Sequence, residues 1–193
     1  MLACDTRNDY EIIEGVKIMA PSPGCAHVNV TANLVTIING YARINKLGMA
    51  FADNFDVHFP DGSLFRPDFI FVSAENAKSL FKNKNATLHG VPDMVAEIFS
   101  RSTMKRDVGI KKDVYERNGV REYWIINPWS ESIEVYLLRD GKYVLDNVYQ
   151  NYSDDELAEL TDDERAKIEM EIPVDVLDGF KVKIRNIFGW YFE

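Results

Sequence analysis

A chain of 193 residues, 46% hydrophobic and 27% charged, is long enough to bury a core within one domain and has the composition of an ordinary globular protein. Two cysteines, Cys4 and Cys25, form no CxxC and no Cys/His cluster, so reduced thiols are expected rather than a disulfide. The formal net charge of −9 argues against a protein that coats nucleic acid by charge alone, and no apolar run could span a bilayer.

Asp5, Asp9, Glu11 and Glu14 interrupt any apolar run near the start, which excludes a signal peptide and leads us to expect a cytoplasmic protein. Tyr10 to Met19 reads as a hairpin turning at Glu14-Gly15, and Pro21-Ser22-Pro23-Gly24 breaks the chain. Val30, Leu34, Ile37 and Tyr41 recur at helical spacing, which predicts a helix over Ala26 to Ile38, ended by Asn39-Gly40. Met49 to Phe59 alternates through Phe55, Val57 and Phe59 as a strand and turns at Pro60-Asp61-Gly62. Ser63 to Ser73 follows as another strand, with Asp68 heading the run Phe69-Ile70-Phe71-Val72. Residues 74–90 form a polar, lysine-bearing excursion of short helix and loop.

The stretch from Pro92 to Pro128 organises the chain. Met94 to Phe99 is a continuous apolar run apart from Glu97, as suits a strand covered on both faces. Ser100, Ser102 or Thr103 can cap a following helix that Asn118-Gly119 stops, and Val120 to Asn127 returns as a second buried strand. Ile133–Leu138 and Lys142–Leu145 then make a hairpin around Asp140-Gly141. An acidic segment, 151–170, reads as helical with Leu157, Leu160 and Ile168 as its apolar contacts. Phe180 to Ile184 alternates like an edge strand, and Ile187 to Phe192 packs the end. The expectation is one α/β domain over residues 1–193, with a mixed β-sheet flanked by helices and the acidic segment as a helical insertion.

Charge is unevenly placed. Residues 151–175 carry ten acids against two bases, whereas 101–121 carry seven bases against three acids. That polarity is compatible with a local anion site and equally with a solvated helix face.

A carboxylate inside an apolar strand is costly unless paired, hydrogen-bonded or bound to a cation. Asp68 and Glu97 both fall in such runs. On neighbouring strands they would converge at one end, and oxygen ligands with room for water suit Mg²⁺ or Mn²⁺ better than zinc. Lys111, on the crossover helix, can reach the same place and steady developing phosphate charge. Competing readings exist for each. Asp68 can cap a turn after Pro67, Glu97 can sit in a structural pair with Lys111 or Arg106, and Lys111 can form a surface i,i+4 pair with Asp107.

Several blocks together carry a resemblance. Arg66-Pro67-Asp68-Phe-Ile-Phe-Val, Pro92-Asp93-Met-Val-Ala-Glu97-Ile-Phe-Ser100, Ser102-Thr103, Arg106-Asp107-Val-Gly-Ile-Lys111, Tyr115, Gly119-Val120 and Glu122-Tyr123-Trp124 resemble the Uma-type putative restriction endonuclease family, formerly a domain of unknown function, within the PD-(D/E)XK nuclease superfamily. The opening Tyr10…Gly15…Met19-Ala20-Pro21, His27 and the closing Phe180…Ile187-Phe188 match as well, so the likeness covers nearly the whole chain.

The resemblance implies a restriction-endonuclease-like core with an N-terminal hairpin and additional C-terminal strands. It implies a metal-dependent endonuclease acting on DNA, with Asp68, Glu97 and the carbonyl of Ile98 holding Mg²⁺ or Mn²⁺. The superfamily lysine two positions after the glutamate is absent, since position 99 is Phe, and Lys111 is the matching position on the helix. Asn127 stands where the family has aspartate. His27, Asp107 and Tyr115 are secondary candidates; for Tyr115 core packing competes with a phosphate contact, and for His27 a capping role competes with one at the site. Pairing as a homodimer, with the 133–145 hairpin and the apolar C-terminus as candidate contact surfaces, is also implied. The alternative is an inactive nuclease-fold protein that binds nucleic acid or serves in assembly.

Overall fold

The structure, a computed structural model, describes residues 10–13, 16–19, 24–52, 55–80, 87–99 and 107–190, with the side chains at 10–19, 79, 80, 107 and 108 outside the description. The chain opens with β1 (Tyr10–Ile13) and β2 (Val16–Met19). Next comes α1 (Cys25–Leu34), carried by a π-helical stretch (Val35–Asn39) into α2 (Gly40–Ile44). Then follow β3 (Gly48–Ala52), β4 (Val57–His58), β5 (Leu64–Phe65), β6 (Phe69–Ser73), α3 (Ala74–Leu80) and β7 (Leu88–His89). The central unit is β8 (Met94–Ile98), α4 (Asp107–Asn118) and β9 (Glu122–Asn127). The hairpin β10 (Ser132–Arg139) and β11 (Lys142–Gln150) precedes α5 (Asp154–Glu159), α6 (Asp162–Arg165), β12 (Glu171–Pro173), β13 (Lys181–Lys183) and α7 (Ile184–Phe188).

A six-stranded mixed sheet in the order β11-β10-β9-β8-β6-β3 forms the middle layer. Its one parallel pair is β8 with β9, because the intervening α4 must return the chain to the same end. Alternation along the strands divides the interior in two. Phe69, Phe71, Met94, Ala96, Trp124 and Ile126 face α1, α2, α7 and the β12–β13 ribbon. Ile70, Val72, Val95, Tyr123 and Ile125 face α4 and a smaller five-stranded sheet, β2-β1-β5-β4-β7. With both faces covered, every residue of β8 is buried. The α1 layer is tied down by polar rungs: Asn33 Nδ2 donates to the carbonyls of Ile187 and Gly189 at 3.0 and 3.1 Å, and Asn29 Nδ2 to Gly189 at 3.1 Å.

Several boundaries differ from the sequence expectation. The first helix does not stop at Asn39-Gly40 but runs to Ile44. The π-helical stretch absorbs the change of phase, and the Asn39 side chain accepts from the Ala50 amide instead of capping the helix. Met49 to Phe59 is not one strand. β3 lies at the edge of the large sheet and β4 in the small one. Likewise Ser63 to Ser73 divides into β5 and β6 across Pro67, which has no amide hydrogen for a ladder. The acidic segment forms two short helices, each with its own capping box, Ser153 with Glu156 and Thr161 with Glu164. Phe180–Ile184 contributes β13 to a separate ribbon with β12, not an edge of the large sheet. Residues 14–15 and 100–106, with the hairpin turn and the candidate helix caps, lie outside the described residues. Asn118-Gly119 does end α4, with Gly119 at φ 87° and the amides of Gly119 and Val120 both bonded to the Tyr115 carbonyl. Among the described residues no helix is long and apolar enough to cross a membrane.

Gly48 is required where β3 meets β6. A Cβ there would lie 2.3 Å from the Val72 carbonyl oxygen and 2.6 Å from the Phe71 ring.

The least expected feature of the core is Glu122, wholly buried at the start of β9. Its carboxyl accepts from Trp124 Nε1 at 2.8 Å and from the Val176 amide at 2.9 Å, joining the C-terminal segment to the sheet. Burial pushes its pKa up to about 7, from 4.5 for an ordinary glutamate. Between those values the folded chain holds a proton that the unfolded chain has released. The associated stability is therefore complete below pH 4.5, is lost as pH rises to about 7, and stays lost above it. Glu122→Gln abolishes this titration. Urea unfolding should show the variant gaining on the wild type by on the order of 1–3 kcal/mol across that window, then holding level; a constant difference would mean that Glu122 titrates as an exposed acid.

Candidate active site

Asp68 stands immediately before β6, between Pro67 and the buried run Phe69–Val72. In the β6–β8 ladder Phe69 lies opposite Ala96, so one step further along brings Asp68 level with Glu97. Strand alternation puts both side chains on the face that carries Ile70 and Val95. Asp68 Oδ2 accepts from the Ile98 amide at 2.7 Å, and Asp68 Oδ1 lies 3.1 Å from Nε2 of His27. His27 comes from the first turn of α1, whose N-cap is Gly24, so the helix does not use the histidine as a cap.

Glu97 is met from the other side by α4. Lys111 Nζ lies 3.2 and 3.1 Å from its two carboxylate oxygens, and the Tyr115 hydroxyl donates to Oε1 at 2.5 Å. Lys111 and Tyr115 are four residues apart and so share one face of the helix. The Lys111 amine also sits 5.9 Å from the centre of the Phe65 ring. This pair is nearly withdrawn from water, with the Lys111 and Glu97 side chains 12% and 10% exposed, while Asp68 remains 23% exposed. The carboxylates are therefore neighbours at a partly open end of the sheet.

Contacts at both sides hold α4 in place. Arg117 Nε bonds Asp61 Oδ2 at 2.8 Å, and the Asp61 amide donates to Asn118. Partial burial opposes the charge on Asp61, but the Ser63 amide and Arg117 outweigh it and hold the carboxyl at about 2. Glu116 accepts from Lys142 at 2.7 Å and from the Tyr143 amide at 2.6 Å, linking α4 to β11. Those bonds lower the Glu116 pKa, Lys142 contributing most.

The structure thus brings together Asp68, Glu97, Ile98, Lys111, His27 and Tyr115. Tyr115 is fully buried, so its hydroxyl serves Glu97 and is not available to a phosphate. The side chain of Asp107 lies outside the described residues. Asn127 ends β9, and its Oδ1 accepts from the amides of Trp129 and Ser130, a task an aspartate would perform equally well.

A second Pro-Asp pair, Pro92-Asp93, is clearly different in surroundings. Asp93 accepts from the Ser73 amide, Asn76 and Arg121 at 2.7, 2.8 and 2.6 Å, at the start of β8 and away from Glu97. Sequence reasoning did not single out Glu122 or Asp93, although a lone acid at the head of an apolar run signals each.

Among the described residues, no three His, Cys, Asp or Glu side chains group as a metal centre. The two neighbouring carboxylates are hard oxygen donors, of the kind that suits Mg²⁺ or Mn²⁺ completed by water. Asp68 takes one contact on each oxygen, and the second lone pair of each leaves that carboxylate acceptor capacity for a cation.

A family model described as "Uma2: Putative restriction endonuclease" matches residues 2–173. Among solved structures, the chain is similar to a putative nuclease belonging to DUF820 from Anabaena variabilis, with a TM-score of 0.71 and 18% identity over 96% of this chain and 92% of that one. At that identity the likeness speaks for the fold. No curated protein matches the chain.

A buried ion pair seldom stabilises a fold relative to apolar residues of the same size, whereas removing one partner strands a charge. Lys111→Met should lower unfolding free energy by about 3 kcal/mol, and Lys111→Met with Glu97→Met should recover most of that loss in urea titrations. A double variant as unstable as the single one would mean that the pair is there to hold the fold together.

Proposed function

The chain belongs to the Uma2 family of putative restriction endonucleases, and on that premise we propose that it is a divalent-metal-dependent endonuclease hydrolysing phosphodiester bonds of DNA. The observation that carries this reading is the meeting of Asp68 and Glu97 on paired strands with an almost buried lysine aimed at Glu97. Asp68, Glu97 and the Ile98 carbonyl would hold Mg²⁺ or Mn²⁺. When bound, such a cation supplies charge neutralisation at the phosphate and makes a nearby water more acidic.

Each remaining role follows from contacts of this chain's own side chains. His27 and the Ile98 amide fix the rotamer of Asp68, so its free lone pairs keep one direction. Tyr115 does the same for Glu97 from beneath. Lys111 carries a positive charge in a poorly hydrated position, where it would stabilise the extra negative charge that gathers on the phosphate oxygens. In the hydrolysis itself, a water oxygen bonds to phosphorus while the ester P–O bond breaks, and the departing oxygen takes up a proton. The reading treats residues 1–193 as one nuclease domain with the acidic stretch as an insertion, and cleavage of both strands would call for two copies.

Incubation of supercoiled plasmid with the full chain tests this directly. Nicking should require Mg²⁺ or Mn²⁺, cease with EDTA, and fall at least about 100-fold in Asp68→Ala and Glu97→Ala, with a loss of about tenfold or more in Lys111→Ala. Undiminished nicking by Glu97→Ala would refute the assignment, and plasmid binding by the wild type without nicking would leave a nucleic-acid-binding protein.

A further inference from the structure

Of the three histidines in the chain, His27 stands at the carboxylates and the other two meet on the small sheet. β4 and β7 pair in parallel, with Val57 level with Leu88 and His58 level with His89. Val57 and Leu88 are wholly buried on the inner face, so alternation turns both histidines to the outer one. There His89 is exposed and His58 partly so. Their rings lie face to face, with centroids 4.3 Å apart and planes within 2° of parallel. Two imidazolium cations stacked in this way would repel each other, whereas neutral rings stack and each keeps one nitrogen lone pair.

Neighbouring groups define the ligand set. Thr87 Oγ1 lies 3.2 Å from Nε2 of His89. In the tautomer with hydrogen on Nε2, the threonine oxygen accepts it and the Nδ1 lone pair is left for a cation, the way metal-bound histidines are commonly oriented. Asp56, two residues before His58, shares the outer face, but its carboxylate is engaged by Arg66 Nε at 2.5 Å. Leu64, level with His58 on β5, adds no donor. Among the described residues the ligands on offer are therefore two imidazoles, with water to complete the shell.

We propose that His58 and His89 form a surface site for a borderline divalent transition ion, Zn²⁺, Ni²⁺ or Cu²⁺, which clamps β4 to β7. Imidazole suits these ions as carboxylate suits Mg²⁺ and Mn²⁺, so donor type separates the two kinds of cation. Two nitrogens each about 2.0–2.1 Å from one ion stand roughly 3 Å apart. The stacked rings reach that separation by a small turn about χ2, a soft torsion in histidine. A clamp has a place here because β4 and β7 pair over two residues each and β7 is the outermost strand of its sheet. The site does not draw on the nuclease reading, since Glu97 and the strand that Asp68 precedes belong to the other sheet.

The test titrates Zn²⁺ into the full, untagged chain at neutral pH and reads both binding heat and thermal unfolding. One equivalent should bind and raise the unfolding midpoint, because the ion prefers the folded chain in which the two rings are adjacent. In the wild type, the imidazole resonances of His58 and His89 should shift with that equivalent. His58→Gln and His89→Gln should each weaken it by about 100-fold, since a second ligand held at hand contributes through its effective concentration. Asp68→Asn should leave the equivalent unchanged, which separates it from any ion at the carboxylates. Acidification should release the ion, as an imidazolium has no lone pair to give. Unaltered binding in either histidine variant, unmoved His58 and His89 resonances, loss of the equivalent in Asp68→Asn, or a midpoint indifferent to Zn²⁺ would each overturn the proposal.

Discussion

One acidic side chain near the end of a buried strand sets the terms for the rest of this structure. Glu97 occupies a strand buried along its whole length, where a bare carboxylate would be very costly. Its partners must therefore arrive from α4, and they do so as a lysine and a tyrosine one turn apart. That requirement fixes the rotation of α4 about its axis, and the Asp61–Arg117 and Glu116–Lys142 pairs hold the helix there. Each exposed pair contributes little by itself. Together they restrain the helix at two positions, which keeps the Lys111 amine within hydrogen-bonding distance of the acid.

The two Pro-Asp dipeptides show how context separates similar signals. Asp68 has two partners that bind one oxygen each and remains partly exposed at the strand start. Asp93 receives three donors, including a guanidinium, and its side chain is 2% exposed. The first arrangement leaves lone pairs facing solvent at the carboxylate end of the sheet. The second closes a joint between β6, α3 and the entry to β9. Glu122 forms a comparable joint on the opposite face, where the sheet meets the C-terminal segment. Buried acids in this chain thus divide between those that pin backbone and those that share an opening.

The C-terminal layer also acts on the candidate site, although it lies behind the sheet. The asparagines of α1 bond to carbonyls around α7, and α1 delivers His27 to Asp68. Residues beyond 173, past the reach of the family match, thereby help set the position of a side chain at the carboxylates. The arrangement gives a physical reason for the apolar ending of the chain: Ile184, Ile187 and Phe188 complete the core against which α1 rests.

Much of this was written locally in the chain. The strand–helix–strand unit around Glu97, the Asp140-Gly141 hairpin and the stop at Asn118-Gly119 follow from patterns within a few residues, since burial on both faces, positive φ and helix termination are short-range demands. The two strand acids were legible for the same reason, each being an anomaly in its own apolar run, whereas the restriction-endonuclease-like core was implied by the family resemblance and not by any local pattern. What the sequence could not determine was where one run of alternating residues leaves one sheet for another, as between β3 and β4 or β5 and β6, because alternation is identical in either sheet. Nor could it decide that Lys111 reaches Glu97, that His27 reaches Asp68, or that Glu122 is sealed by Val176. Those outcomes depend on which surfaces pack together across long stretches of chain, and only tertiary structure brings them within a hydrogen bond of one another.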